Sequence, residues 1–109
     1  MASYLIQAAY TSEAFLALVK KPQDRTPVIK AAVEKLGGSV IGQWGSFGEF
    51  DIVLIVDFPD TVSAVALKMA VLAGGALKSS VATPLISSDE AMAAAKKAGG
   101  AGYKPPKTR

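Results

Sequence analysis

The chain is predicted to fold as one α+β domain: a four-stranded antiparallel sheet covered by helices, followed by an extra C-terminal helix. Three observations predict this. The stretch Gly45 to Asp60 reads as a glycine-bounded turn feeding a strand, Ile52-Val53-Leu54-Ile55-Val56, that is apolar at every position. Three glycine pairs, Gly37-Gly38, Gly74-Gly75 and Gly99-Gly100, each close a segment of helical spacing, and at Gly37-Gly38 glycine supplies the left-handed conformation that ends the helix. With 109 residues, half of them hydrophobic, the chain can build one core but not two.

Each element follows from local pattern. Residues 3–10 form a short apolar strand with Tyr4 and Tyr10 near its ends. Thr11 or Ser12 can cap a helix running to about Val19 or Lys20, which Pro22 interrupts. A second helical stretch follows, with Asp24 or Thr26 as its cap and Pro27 in its first turn, where no N–H partner is needed. Ile29, Ala32, Val33 and Leu36 fall on one side of it. Residues 39–46 make a weaker strand whose glycines point to a bulge or an edge. After the turn at Phe47-Gly48-Glu49, residues 50–58 give the clearest strand. Asp57, Asp60 or Thr61 then opens a helix whose buried side is expected at Val62, Val65, Ala66, Met69, Ala70 and Ala73. A fourth strand, 76–84, is expected to stop at Pro84. Ser87 and Glu90 form a capping box for a last helix ending before Gly99. Residues 1–98 are thus read as the domain and 99–109 as a flexible basic tail with nothing to bury.

The order β-α-β-β-α-β is the ferredoxin-like plan, in which the first and third strands are central. Helices cover only one face of such a sheet, so its strands should alternate apolar and polar residues. Residues 52–56 do not alternate, and residues 4–10 hardly do, with Gln7 the one fully polar side chain. Each uncovered Val or Ile forfeits roughly 1.5–3 kcal/mol of burial. The simplest cover is a second copy of the same sheet, so a homodimer packed sheet to sheet is expected, with further assembly left open.

Composition excludes several function classes. There is no histidine and no cysteine, so Ser-His-Asp and Cys-His nucleophiles, disulfides and the commonest zinc ligands are all absent. No metal site and no cofactor are expected. No apolar run reaches the roughly 18 residues of a membrane span, and the N-terminus lacks the pattern of a secretory signal. A cytoplasmic protein that does not engage membranes is the expectation. The net charge of +3 is concentrated at one end: Lys96, Lys97, Lys104, Lys107 and Arg109 face no acid within 96–109. The other seven basic residues meet nine acids, a net of −2, so the domain has no cationic face for nucleic acid.

Leu36-Gly37-Gly38, Gly48-Glu49-Phe50-Asp51-Ile52-Val53 and Pro59-Asp60, with Arg25 eleven residues before Leu36, resemble the GYD domain family over about residues 3–86. The resemblance implies a subunit of the dimeric α/β-barrel kind and brings no particular activity with it. The chain departs from the family pattern in two places. Phe50 stands where the family's tyrosine would, removing a hydroxyl, and Thr83 lies near an expected basic position on the fourth strand.

Few side chains can carry chemistry. Asp51, after a tight turn and beside a buried strand, could be a base or a ligand anchor. The preferred reading is structural, accepting backbone N–H groups of the hairpin or pairing with Arg25. Arg25 could grip an anion bidentately, or pair with Asp51. Gln7, an amide among apolar strand residues, needs a partner and could face a ligand cavity or bond across the dimer. Tyr4, Tyr10, Gln43 and Trp44 complete the candidates, with Tyr10 and Trp44 read first as packing groups and Trp44 at an interface rim. The glycine pairs follow helices and precede strands, the reverse of a phosphate loop.

Three functional readings follow, in order of preference. The first is a dimeric module binding a small, partly apolar ligand through Gln7, Tyr10, Arg25, Trp44 and Asp51. The second is a cofactor-independent enzyme of isomerase or monooxygenase type, with Asp51 or Tyr10 as its base. The third is a purely structural or assembly role.

Overall fold

A computed structural model describes residues 2–107 of the protein. Met1, Thr108 and the Arg109 of the basic tail lie outside the described residues. The elements in chain order are β1 (Ala2–Tyr10), α1 (Ser12–Lys20), α2 (Thr26–Lys35), β2 (Ser39–Gly45), β3 (Ile52–Phe58), α3 (Thr61–Ala73), β4 (Leu77–Leu85) and α4 (Ser88–Ala98). They form an α+β fold of ferredoxin-like order. The sheet runs β2-β3-β1-β4, all pairs antiparallel, which makes β1 and β3 central.

The caps explain where the helices begin. Thr11 accepts the N–H of Ala14 at 3.1 Å, and Asp60 accepts that of Ser63 at 2.8 Å. Hydrogen bonding by Ser63 holds the Asp60 carboxyl below its ordinary value. Ser87 and Glu90 close both bonds of the capping box. The cap of α2 differs from expectation. Arg25 occupies it without a side-chain bond, and Asp24 acts one residue earlier by accepting the N–H of Thr26 at 2.9 Å. After α2, Gly37 turns with φ +84°. Gly38 is then pressed against β3: a Cβ there would stand 2.6 Å from the Phe58 ring.

One face of the sheet packs against the helices. Tyr4, Ile6, Leu54, Val56, Phe58, Val33, Ala64 and Leu67 form the core, with Ile29, Ala32 and Leu36 against it, so the stripe read for α2 faces inward. The buried side read for α3 does not. Ala64 and Leu67 are inside, whereas Val62, Val65 and Met69 are exposed. This helix is apolar nearly all round, with Lys68 its one charged residue, so periodicity alone cannot choose its inner face. Two strand limits also move. Phe50 and Asp51 precede β3, and Pro84 sits inside β4 opposite Tyr4. An edge strand tolerates its missing N–H.

The other face carries no helix. Pairing places Leu5 beside Ile55 and Thr83, Gln7 beside Val53 and Val81, and Trp44 beside Val53. At its far end Ser3 donates a short 2.5 Å hydrogen bond to Asp57. The edge strand β2 has the bulge that its glycines suggested, between Val40 and Gly42. Gly42 lets the Trp44 indole lie across it, since a Cβ there would be 2.5 Å from the ring. Helix α4 has no buried residue, and the Cα radius of gyration is 17.9 Å. A compact chain of this length has about 13 Å, so α4 extends the molecule.

Candidate functional site

The helices do not fill the sheet face they cover. A cleft of about 450 Å³ remains between β1, β3 and β4 below and α1, α2 and α3 above. Ile6, Ala8, Ile29, Leu54 and Leu67 give it apolar walls. It continues into an outer chamber of about 290 Å³, and the two share Tyr10, Leu18, Gln23, Arg25 and Ile52. The outer chamber adds Asp24, Gln43, Trp44 and Asp51.

The sequence places the polar residues at this mouth for local reasons. Tyr10 ends β1, where alternation points it to the same side as Ile6 and Ala8. Its ring meets Phe15 of α1 edge-on, centroids 5.4 Å apart. Arg25 comes from the start of α2, where its carbonyl accepts the N–H groups of Val28 and Ile29 at 3.1 and 3.2 Å. Asp51 is fixed by the β2–β3 turn. Its N–H donates to the Ala8 carbonyl at 2.8 Å, and its carbonyl accepts the Ser46 N–H at 2.9 Å.

Asp51 Oδ2 accepts the backbone N–H of Tyr10 at 2.9 Å. The carboxylate therefore staples the end of β1 to the turn: its role is structural, but the donor is a β1 N–H rather than one of the hairpin as expected. No Arg25–Asp51 ion pair within 4.0 Å forms among the described residues. Burial raises the Tyr10 phenol above the ordinary tyrosine value; Arg25 pulls it down and Asp51, more weakly, pushes it up. The Gln43 amide lies on the helix side of β2 opposite Leu54, and its Oε1 is buried with no donor among the described residues.

Of the five residues singled out from sequence, Tyr10, Arg25, Trp44 and Asp51 border this cleft, and Gln7 does not. Gln7 lies on the uncovered face between Val53 and Val81. Tyr4 is a core residue, its ring centroid 6.2 Å from that of Phe58. Lys68, bordering the inner cleft from α3, escaped the sequence reading. Its signal was there to find: one charge in a thirteen-residue apolar helix. Among the described residues, no three His, Cys, Asp or Glu side chains gather as a metal site would require. No described helix is long and apolar enough to cross a membrane.

The sequence model of the GYD domain matches residues 4–95 of the 109. The chain belongs to the GYD domain family. The match runs from β1 into α4, further than the residues 3–86 that carried the resemblance. The stretch Gly48 to Val53 that carried the resemblance spans the β2–β3 turn and the start of β3, and its Asp51 is the residue that fastens β1. Phe50 in the tyrosine position is half-buried beside it, and Thr83 faces Leu5 on the uncovered side of the sheet. No curated protein matches the chain.

Proposed function

We propose that this GYD domain protein works as a homodimer, packed sheet to sheet, that holds a small, partly apolar molecule in the cleft of each subunit. The observation that carries the reading is the cleft: about 450 Å³ with apolar walls and a polar mouth. Interiors pack to the density of organic crystals and leave few voids larger than a water. The cleft is not such an interior void, because it opens to solvent through its mouth. The volume and lining instead suit a ligand site, in which a few convergent polar groups orient a mainly apolar body.

The dimer is supported by the uncovered sheet face. Leu5, Val53, Ile55 and Val81 lie together there, with Trp44 55% exposed at the margin. A contiguous patch of this kind marks an interface, and a second copy of the same sheet would cover it. Gln7 sits in the central strand of that face, where its amide can bond across the interface.

Native mass spectrometry of the gently purified full-length protein tests the reading. The expected species is a dimer carrying up to two copies of a reproducible small mass. A monomer would overturn the sheet-to-sheet assembly, and a dimer that takes up no small molecule offered to it would overturn ligand binding.

A further inference from the structure

The residues bordering the cleft fall into two electrostatic sets. The inner cleft has two charged side chains, Arg25 and Lys68, both cationic. Neither forms an ion pair with a carboxylate among the described residues. The acids, Asp24 and Asp51, border only the outer chamber, and each is already engaged by a backbone N–H: Asp24 by Thr26 and Asp51 by Tyr10, both at 2.9 Å. An unpaired guanidinium beside apolar walls is a seat for an anion, and a planar carboxylate fits its fork.

At the Tyr10 hydroxyl the pull of Arg25 outweighs the push of Asp51. Arg25, which borders both chambers, is therefore the charge that acts more strongly on this hydroxyl. Gln43 adds a second requirement, because its buried Oε1 accepts nothing from the protein among the described residues. A buried acceptor left without a donor is costly. An ionised acid has no proton to give it, so the ligand needs a donor of its own.

We propose that the occupant is a small organic acid with an apolar body and a hydroxyl or N–H group close to the acid, the carboxylate held by Arg25 and the donor by the Gln43 amide oxygen. This rests on the ligand-binding reading and specifies the chemistry of the same cleft. Lys68 adds positive potential along the inner wall. The apolar body lies over Ile6 and Leu54, with Ala14, Ala17 and Leu18 against it on the side of α1.

The test is isothermal titration calorimetry of the full-length protein with four probes of one chain length: octanoate, β-hydroxyoctanoate, octanol and octylammonium. Octanoate is expected to bind at least about tenfold more tightly than octanol, as a charge-assisted hydrogen bond predicts, and octylammonium most weakly. β-Hydroxyoctanoate is expected to bind about threefold more tightly than octanoate by satisfying Gln43. Arg25→Gln should bring octanoate down to the level of octanol and leave octanol unchanged. Gln43→Leu should erase the advantage of the hydroxyl and leave octanoate as it was. The wild-type ranking decides the matter even where a variant fails to fold. Octanol binding as tightly as octanoate would overturn the acid assignment while the cleft remained a ligand site. Equal binding of the two acids would overturn the assignment of Gln43. No heat with any probe would defeat both the acid assignment and the binding reading.

Discussion

The two faces of the sheet are built from alternate residues of the same strands and have opposite fates. Leu54, Val56 and Phe58 point at the helices and are buried; Val53 and Ile55, between them, point away from the helices and are half-buried, against strand neighbours such as Gln7, Trp44 and Leu5. A strand packed on one side would place polar residues at 53 and 55. Apolar residues at both sets of positions record two different coverings. The inner one is incomplete, because α1 contributes no buried residue and α2 and α3 leave a cleft between them. The outer one is absent from the subunit. We read the first gap as room for a small molecule and the second as room for another subunit.

Substitutions on one strand separate the faces. Phe58→Ala empties a fully buried site and is expected to cost about 3–5 kcal/mol in urea unfolding, at every protein concentration. Ile55→Asp, three residues away, should leave the subunit folded but weaken dimerisation at least about a hundredfold, since an unpaired charge would be buried. Sedimentation velocity reads the change. Destabilisation of the isolated subunit as large as that of Phe58→Ala would show that the outer face is not free.

Asp51→Ala removes the bond to the Tyr10 N–H and is expected to cost about 1–3 kcal/mol. Asp51→Asn, which keeps an acceptor, should recover more than half of that loss in the same unfolding assay. An enzyme using Asp51 as its base would instead lose turnover with both variants. Tyr10 gives a smaller, pH-dependent effect. Its folded pKa is raised from the ordinary 10.0, mainly by burial. Its contribution is therefore complete below that ordinary value and lost as pH rises through the higher folded one. The difference in alkaline unfolding between wild type and Tyr10→Phe checks it: the wild type should lose stability above pH 10 and the variant should lose less.

The smallest change belongs to α4. Ser87→Ala removes the capping box and is expected to cost the helix about 1 kcal/mol locally. Because α4 buries nothing within its subunit, helicity by circular dichroism should fall while the domain's unfolding midpoint stays unchanged.

The elements and their order were legible because the glycine pairs, caps and strand runs are local signals. Gly37 and the capping box at Ser87 behave as their chemistry requires. The inner face of α3 was not legible, since Val62, Val65 and Met69 make as good an apolar stripe as Ala64, Leu67 and Val71, and tertiary packing chose between them. The site was half legible. Tyr10, Arg25 and Asp51 come from three separate elements and were singled out by residue type. Gln7 stands three positions before Tyr10 on one strand, so parity already placed the two on opposite faces. Lys68 stands out in the sequence as the one charge of α3, but that it borders the cleft depends on which side the helix turns inward, which periodicity does not fix.

The most direct test of the division between the faces uses Trp44, the one tryptophan in the chain. It is 55% exposed in the subunit and lies on the uncovered face beside Val53. Iodide quenching of its fluorescence should be measured as the protein is diluted, alongside sedimentation of the same samples. We predict that Trp44 is protected from iodide in the dimer and becomes accessible as the dimer dissociates, with Ile55→Asp accessible throughout. A dimer in which Trp44 is quenched as freely as in the monomer would contradict the account, because the subunits would then be meeting through another surface.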